Sequence, residues 1–81
     1  MKATVNRQLF MKHISSIPVD HGASVLVADG VLSVASFGQG ITVRMPAYVI
    51  KSGQIFLHCD EWNCLISRIE NLCALYVDVG D

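Results

Sequence analysis

The stretch that decides the fold is CDEWNCLISRIENLCALYVDV, residues 59–79 of the 81-residue chain. Its first part spaces apolar residues three or four apart, which puts them on one side of a helix: Trp62, Leu65, Ile66, Ile69, Leu72 and Cys73. Its second part has the alternation of a strand with one solvated face, with Leu75, Val77 and Val79 inward and Tyr76 and Asp78 outward. We therefore predict a helix that leads into a strand and shares its core.

A second, shorter amphipathic helix is predicted near the N-terminus, after a β-prone start at residues 2–5. Asn6 can accept hydrogen bonds from the first free amides of this helix. Its apolar stripe consists of Leu9, Phe10, His13, Ile14 and Ile17. Pro18 cannot continue the hydrogen-bond ladder, so the helix should end near Ser16 or Ile17.

Between the two helices the sequence predicts strands. Asp29-Gly30 lies between two apolar runs, residues 24–28 and 31–36, and both residues can adopt the positive φ of a two-residue hairpin turn. A third strand follows from the alternation of Ile41, Val43 and Met45. Pro46 marks an edge, a bulge or an irregular extension through Ile50. A short strand at residues 54–57 then leads into the second helix.

The predicted order is therefore strand, helix and three strands, followed by strand, helix and strand. Residues 1–81 are expected to form a single α+β domain, because a chain of 81 residues is too short for two. Each helix has one apolar face, so both should pack on the same face of a largely antiparallel sheet.

Composition excludes several function classes. Six Lys and Arg against seven Asp and Glu give a formal net charge of −1, so the chain lacks a global basic field and DNA binding would need a local patch. No apolar run approaches the length of a membrane span. Three cysteines, an odd number, favour reduced thiols and a cytoplasmic protein, and we see no secretory signal.

Self-association is expected because the chain is short and 52% of its residues are hydrophobic, more than a small core accommodates. A homo-oligomer is predicted, and a dimer is favoured. The candidate surfaces are the apolar edge after the third strand and the final strand, since exposed strand edges recruit other strands. The residues assigned to self-association are Pro46, Tyr48, Ile50 and Tyr76.

Sites for chemistry receive little support. His58, Cys59, Cys64 and Cys73 are zinc-ligand types, but on a helix Cys64 lies about 140° around from Cys59, and Cys73 about 180° from Cys64. Buried cysteines acting as small apolar residues are the better interpretation. No histidine has a spacing that pairs it with a cysteine nucleophile. We predict no catalytic residue, no metal and no cofactor.

The order of elements resembles the N-terminal domain of the bacterial DNA polymerase III sliding clamp. MKATVNRQLFMKHISSI, residues 1–17, is similar to the clamp's first strand and helix, and VADGVLSV, residues 27–34, to its next strand pair. Residues 55–72 and 74–81 are similar to its second helix and the strand after it. The resemblance spans nearly the whole chain in order, but it stops before the last two strands of one clamp domain.

What the resemblance implies is a non-enzymatic ring protein whose helices face duplex DNA. Basic side chains on those helices contact phosphates without reading sequence. Transferred by position, Arg7 and Lys12 could face DNA, and Arg68 is the cation of the second helix. Asp60 and Glu61 stand where the family carries basic residues, and they would repel phosphate.

Two functions of different classes follow. The first is a small clamp-like module that is not an enzyme, assembles with itself and contacts macromolecules, with duplex DNA or replication proteins as candidate partners. The alternative is a small homodimeric binding protein that takes an apolar or cationic ligand. A cysteine-dependent enzyme using Cys59 comes third.

Overall fold

The computed structural model describes residues 1–80 and shows an α+β fold in which two helices pack with antiparallel sheets. In chain order the elements are β1 (Lys2–Asn6), α1 (Arg7–Ile14), β2 (Ala23–Ala28), β3 (Val31–Ser36), β4 (Thr42–Pro46), β5 (Tyr48–Lys51), β6 (Gly53–Leu57), α2 (Cys59–Glu70) and β7 (Tyr76–Gly80). The predicted α+β class is thus confirmed, although the strands form two sheets and not the single sheet that was predicted.

The strands divide between two sheets. One has the order β5-β1-β7 and the other β4-β3-β2-β6, and every pairing is antiparallel. Helix α1 packs on β1 of the first sheet and β4 of the second, whereas α2 packs on α1 and β6. The helices therefore connect the two sheets through a shared core.

That core is centred on aromatic side chains from both helices. Phe10 of α1 and Trp62 of α2 are fully buried, with ring centroids 6.3 Å apart and planes inclined at 46°. Around them lie inward-facing strand residues, which alternate along each strand as the period of two requires: Ala3, Val5, Val25, Val27, Leu32, Val34, Met45, Val77 and Val79. Of the apolar stripe predicted for the second helix, Trp62 and Ile69 are buried in this core, and Leu65 and Ile66 pack against it partly buried.

Local signals in the sequence account for two elements directly. The Asn6 side chain accepts a hydrogen bond from the Leu9 amide at 2.9 Å, which caps α1 as predicted. Asp29 and Gly30 have φ of 54° and 76°, the left-handed values that a two-residue turn between β2 and β3 requires. The hairpin is confirmed, with Leu32 and Val34 buried.

The structure has one strand more than the predicted order. Residues 48–51, interpreted as part of an irregular extension, form β5, whose Tyr48 and Val49 lie opposite Thr4 and Ala3 of β1. Pro46, which lacks an amide hydrogen, is the last residue of the edge strand β4, in agreement with its expected edge position. A single alanine then separates β4 from β5, so the chain passes directly from one sheet to the other.

Helix ends also differ from the predicted ones. Helix α1 ends at Ile14 and continues as a turn that buries Ile17, and α2 ends at Glu70, capped by Asn71. Leu72 and Cys73 therefore lie beyond α2 and are exposed, contrary to the prediction. Leu75 lies just before the start of β7 and is 61% exposed, which also differs from the prediction.

The prediction of buried cysteines was wrong. Cys64 and Cys73 are exposed and Cys59 is half-buried. Cys64 lies two positions after the buried Trp62, about 200° further around α2, so it faces away from the core. Cys73 follows the end of the helix.

A substitution at Trp62 tests the core. The indole Nε1 is buried and has no hydrogen-bond partner within residues 1–80, so its burial costs stability that the ring's packing must exceed. Trp62→Ala should lower the free energy of unfolding by about 3–5 kcal/mol. Trp62→Phe keeps a ring and removes the unpaired donor, so we expect a loss of at most about 2 kcal/mol. Urea denaturation measures both; equal losses would contradict this account of the core.

Candidate interaction surface

The outer face of the β5-β1-β7 sheet carries the most exposed aromatic side chains of the protein. Because Ala3, Val77 and Val79 point into the core, the residues that alternate with them point outward. Tyr48 lies opposite Thr4 and Tyr76 opposite Asn6, so both rings flank the central strand on the same face. Tyr48 is 74% exposed, Tyr76 58% and Ile50 53%.

A groove of about 480 Å³ opens on this face and is called the tyrosine groove below. Its lining comes from β1, the start of α1, the β4–β5 junction and β7: Thr4, Asn6, Leu9, Pro46, Ala47, Tyr48 and Tyr76. The structure thus brings together Pro46, Tyr48 and Tyr76, three of the four residues assigned to self-association. Ile50 lies two positions further along β5, on the same face but outside the groove lining.

The floor of the tyrosine groove is held by hydrogen bonds between side chains and neighbouring elements. The Thr4 hydroxyl donates to Asp78 Oδ1 across the β1–β7 pair at 2.6 Å, and Asn6 is occupied by its cap on Leu9. None of the lining residues is charged. A rigid, uncharged surface bearing two tyrosines is suited to burial against another protein, where aromatic side chains dominate binding energy.

The three cations assigned to DNA differ in their surroundings. Arg7 donates from Nε to the Ala74 carbonyl at 3.0 Å, and its own amide donates to the Leu75 carbonyl at 2.9 Å, so it anchors the connection between α2 and β7. Lys12 is exposed about 140° further around α1, and Arg68 is exposed on α2. Arg7 is therefore hydrogen-bonded to another segment of the chain, whereas Lys12 and Arg68 are exposed to solvent on different helices.

The first turn of α2 is acidic, as the sequence indicates. Asp60 and Glu61 are both exposed, and Glu61 Oε1 accepts from the His58 amide at 3.1 Å in a capping box. Carboxylates at this end of a helix are stabilised by the helix dipole. The acidic pair therefore has a structural role, and it places negative charge on the exposed start of α2.

A second aromatic cluster lies at one edge of the four-stranded sheet. It was not predicted from the sequence. The Phe37 and Phe56 rings are 4.2 Å apart edge to face, and the Phe56 and His58 rings 5.0 Å apart. All three side chains are exposed. The available signal was the alternation of Phe56 and His58 with Ile55 and Leu57, which predicts a strand with apolar or aromatic residues on both faces.

Comparison of the chain with models of known protein families and with curated protein sequences gave no match. Within residues 1–80 no three His, Cys, Asp or Glu side chains are grouped to hold a metal ion. Neither of the two helices is long and apolar enough to cross a membrane.

Arg7 and Lys12 make a matched pair for testing which cation is structural. Arg7→Ala removes the hydrogen bond to the Ala74 carbonyl and should lower the free energy of unfolding by about 0.5–1.5 kcal/mol. Lys12→Ala removes an exposed side chain and should change stability by less than about 0.5 kcal/mol. Both are measured by urea denaturation. A loss for Lys12→Ala as large as that for Arg7→Ala would refute the structural role of Arg7.

Proposed function

We propose that the protein is a non-enzymatic assembly module that forms a homodimer through the tyrosine groove. The observation that carries this proposal is the 74% exposure of Tyr48 beside a groove that also contains Tyr76 and Pro46. Large exposed aromatic side chains beside an uncharged groove are typical of interaction surfaces. A monomer would leave this apolar area in water.

The size of the surface is consistent with a dimer. A stable interface buries about 800 Å² per partner, which is about one sixth of this chain's 4774 Å² surface. Tyr48, Ile50 and Tyr76 together expose on the order of 300–400 Å², given the area of such side chains. The rest of the lining and its polar rim would supply the remaining area.

A second copy of the chain suits the tyrosine groove, because the same surface carries both the exposed Tyr48 ring and the groove that would receive it. In a two-fold dimer the same patch meets itself, so each Tyr48 would enter the groove of the other copy beside Pro46 and Leu9. The two tyrosine hydroxyls would remain at the rim, where they can bond to water or to the partner. Asp78 lies outside the groove lining, where its carboxylate accepts the hydrogen bond of the Thr4 hydroxyl.

The resemblance to the sliding clamp supports an assembly role, since that family acts by closing into a ring. We propose a clamp-like module without a central role for duplex DNA. Arg7 is occupied by a carbonyl, Lys12 and Arg68 lie on different helices, and the start of α2 is acidic. A net charge of −1 and an acidic helix start give little electrostatic attraction to phosphates.

The tyrosines provide the test of the dimer. Tyr48→Ser combined with Tyr76→Ser should weaken dimerisation at least about tenfold, because buried tyrosines are frequent hot spots. Phe56→Ser is the matched control, since Phe56 is a comparably exposed aromatic residue on the other sheet and should leave the dimer intact. Sedimentation equilibrium measures the dissociation constants. A wild-type monomer at micromolar concentration, or a dimer lost only in Phe56→Ser, would overturn the proposal.

Duplex DNA is tested separately. We expect a fluorescent duplex to show no binding at moderate salt and at most weak binding at low salt, because the chain has a net charge of −1 and α2 begins with two carboxylates. Fluorescence anisotropy at the two salt concentrations measures this. Tight binding that Lys12→Ala and Arg68→Ala each weaken would restore the DNA-facing role of these residues.

A further inference from the structure

The four edge strands differ in how their free edges are protected. Soluble proteins place charges or proline on edge strands to prevent pairing with other chains. Strand β4 contains Arg44 and Pro46, β5 contains Lys51, and β7 contains Asp78. Within residues 1–80, β6 is the edge strand with neither a charged residue nor a proline.

The unprotected edge of β6 borders a second groove of about 470 Å³, called the β6–β7 groove here. Its lining is formed by Met1, Ile55, Leu57, Glu61, Leu65, Arg68, Val79 and Gly80. Strand β6 pairs with β2 and β7 pairs with β1, and within residues 1–80 each has one edge without a partner strand. Ile55, Leu57 and Leu65 are only half-buried, and an occupant of the groove would cover them.

Opposite charges mark the helical side of the β6–β7 groove. Glu61 and Arg68 are seven residues apart on α2, which places them on the same side and about 10 Å apart along the axis. The Arg68 guanidinium makes no hydrogen bond or ion pair within residues 1–80. Glu61 uses one carboxylate oxygen for the His58 amide.

We propose that the β6–β7 groove binds an extended peptide segment of a partner protein, which pairs with the free edge of β6. The backbone of the segment would satisfy the unpaired amides and carbonyls of β6, the mode known as strand addition. Alternate apolar side chains would face Leu65. A basic and an acidic residue four positions apart on that side, about 13 Å in a strand, would meet Glu61 and Arg68.

The charges of Glu61 and Arg68 favour a segment of a partner protein over a strand from a second copy of this chain. No strand within residues 1–80 carries a basic and an acidic residue four positions apart. Apart from β6, the edge strands of this chain are β4, β5 and β7, and each of them carries a charged residue or a proline. Strand β7 contributes to both grooves, with Tyr76 in the tyrosine groove and Val79 and Gly80 in this one, and the two linings share no residue. The site does not depend on the proposed dimer.

The probe is a blocked nine-residue peptide that alternates threonine with apolar residues and has Lys and Asp four positions apart on the apolar side. Its binding to the whole chain is measured by calorimetry and its location by backbone amide exchange. We expect binding that protects amides of residues 53–57, while residues 42–46 of the edge strand β4 are unchanged. A peptide with proline at its centre should not bind, because it cannot complete the ladder.

Charge exchange tests the assignment of Arg68. Arg68→Glu should weaken binding of the probe about twofold to fivefold, and a probe with Lys in place of Asp should recover that loss on the variant. Lys12→Glu, the same charge change on α1, should leave the affinity unchanged.

Three results would overturn the proposal. The first is no binding at millimolar peptide, and the second is binding without protection of residues 53–57. The third is protection of these residues in the protein alone that rises with protein concentration, which would assign the groove to a second copy.

Discussion

The packing of Trp62 against Phe10 is the contact on which the rest of the structure depends. The two rings, 6.3 Å apart, join α2 to α1, and the helices in turn connect two sheets that share no strand. Aromatic pairs of this kind combine a large buried area with a preferred geometry. Both rings belong to one core cluster that also contains inward-facing residues of the two sheets.

The core does not hold all of the apolar residues, so part of the apolar area remains on the surface, where it bears on function. A domain of 81 residues buries a limited fraction of its chain, and here the inward positions are filled while Tyr48, Ile50 and Tyr76 remain outside. The tyrosine groove and the β6–β7 groove lie on separate parts of this surface. In the proposed account, the first groove joins two copies and the second receives a segment of a partner.

Local patterns predicted much of the fold. The cap at Asn6, the turn at Asp29-Gly30 and the alternation of Val77 and Val79 each act over a few residues, and each is present in the structure. Strand β5 was missed because its identity depends on pairing with β1, more than forty residues earlier in the sequence. Burial of Leu72, Cys73 and Leu75 was expected from periodicity. Periodicity does not show that α2 ends at Glu70 or that β7 begins only at Tyr76.

The candidate surface could be predicted in part. Pro46, Tyr48 and Tyr76 were selected as residues of exposed strands, and the sheet order brings them into one groove. The sequence did not indicate that Leu9 lines the same groove. Leu9 belongs to α1, which follows β1 directly, and only the folded structure shows its side chain beside these three residues. The β6–β7 groove could not be predicted at all, because the sequence does not show which strands are left at sheet edges.

The most direct test of the assembly claim is an isotope-filtered nuclear Overhauser experiment on a mixture of labelled and unlabelled protein. It detects contacts between copies and ignores those within one copy. The account predicts contacts from the Tyr48 ring of one copy to Pro46 and Leu9 of the other. Contacts between copies that involve Phe37 and Phe56 instead, or none at concentrations where a dimer sediments, would contradict it.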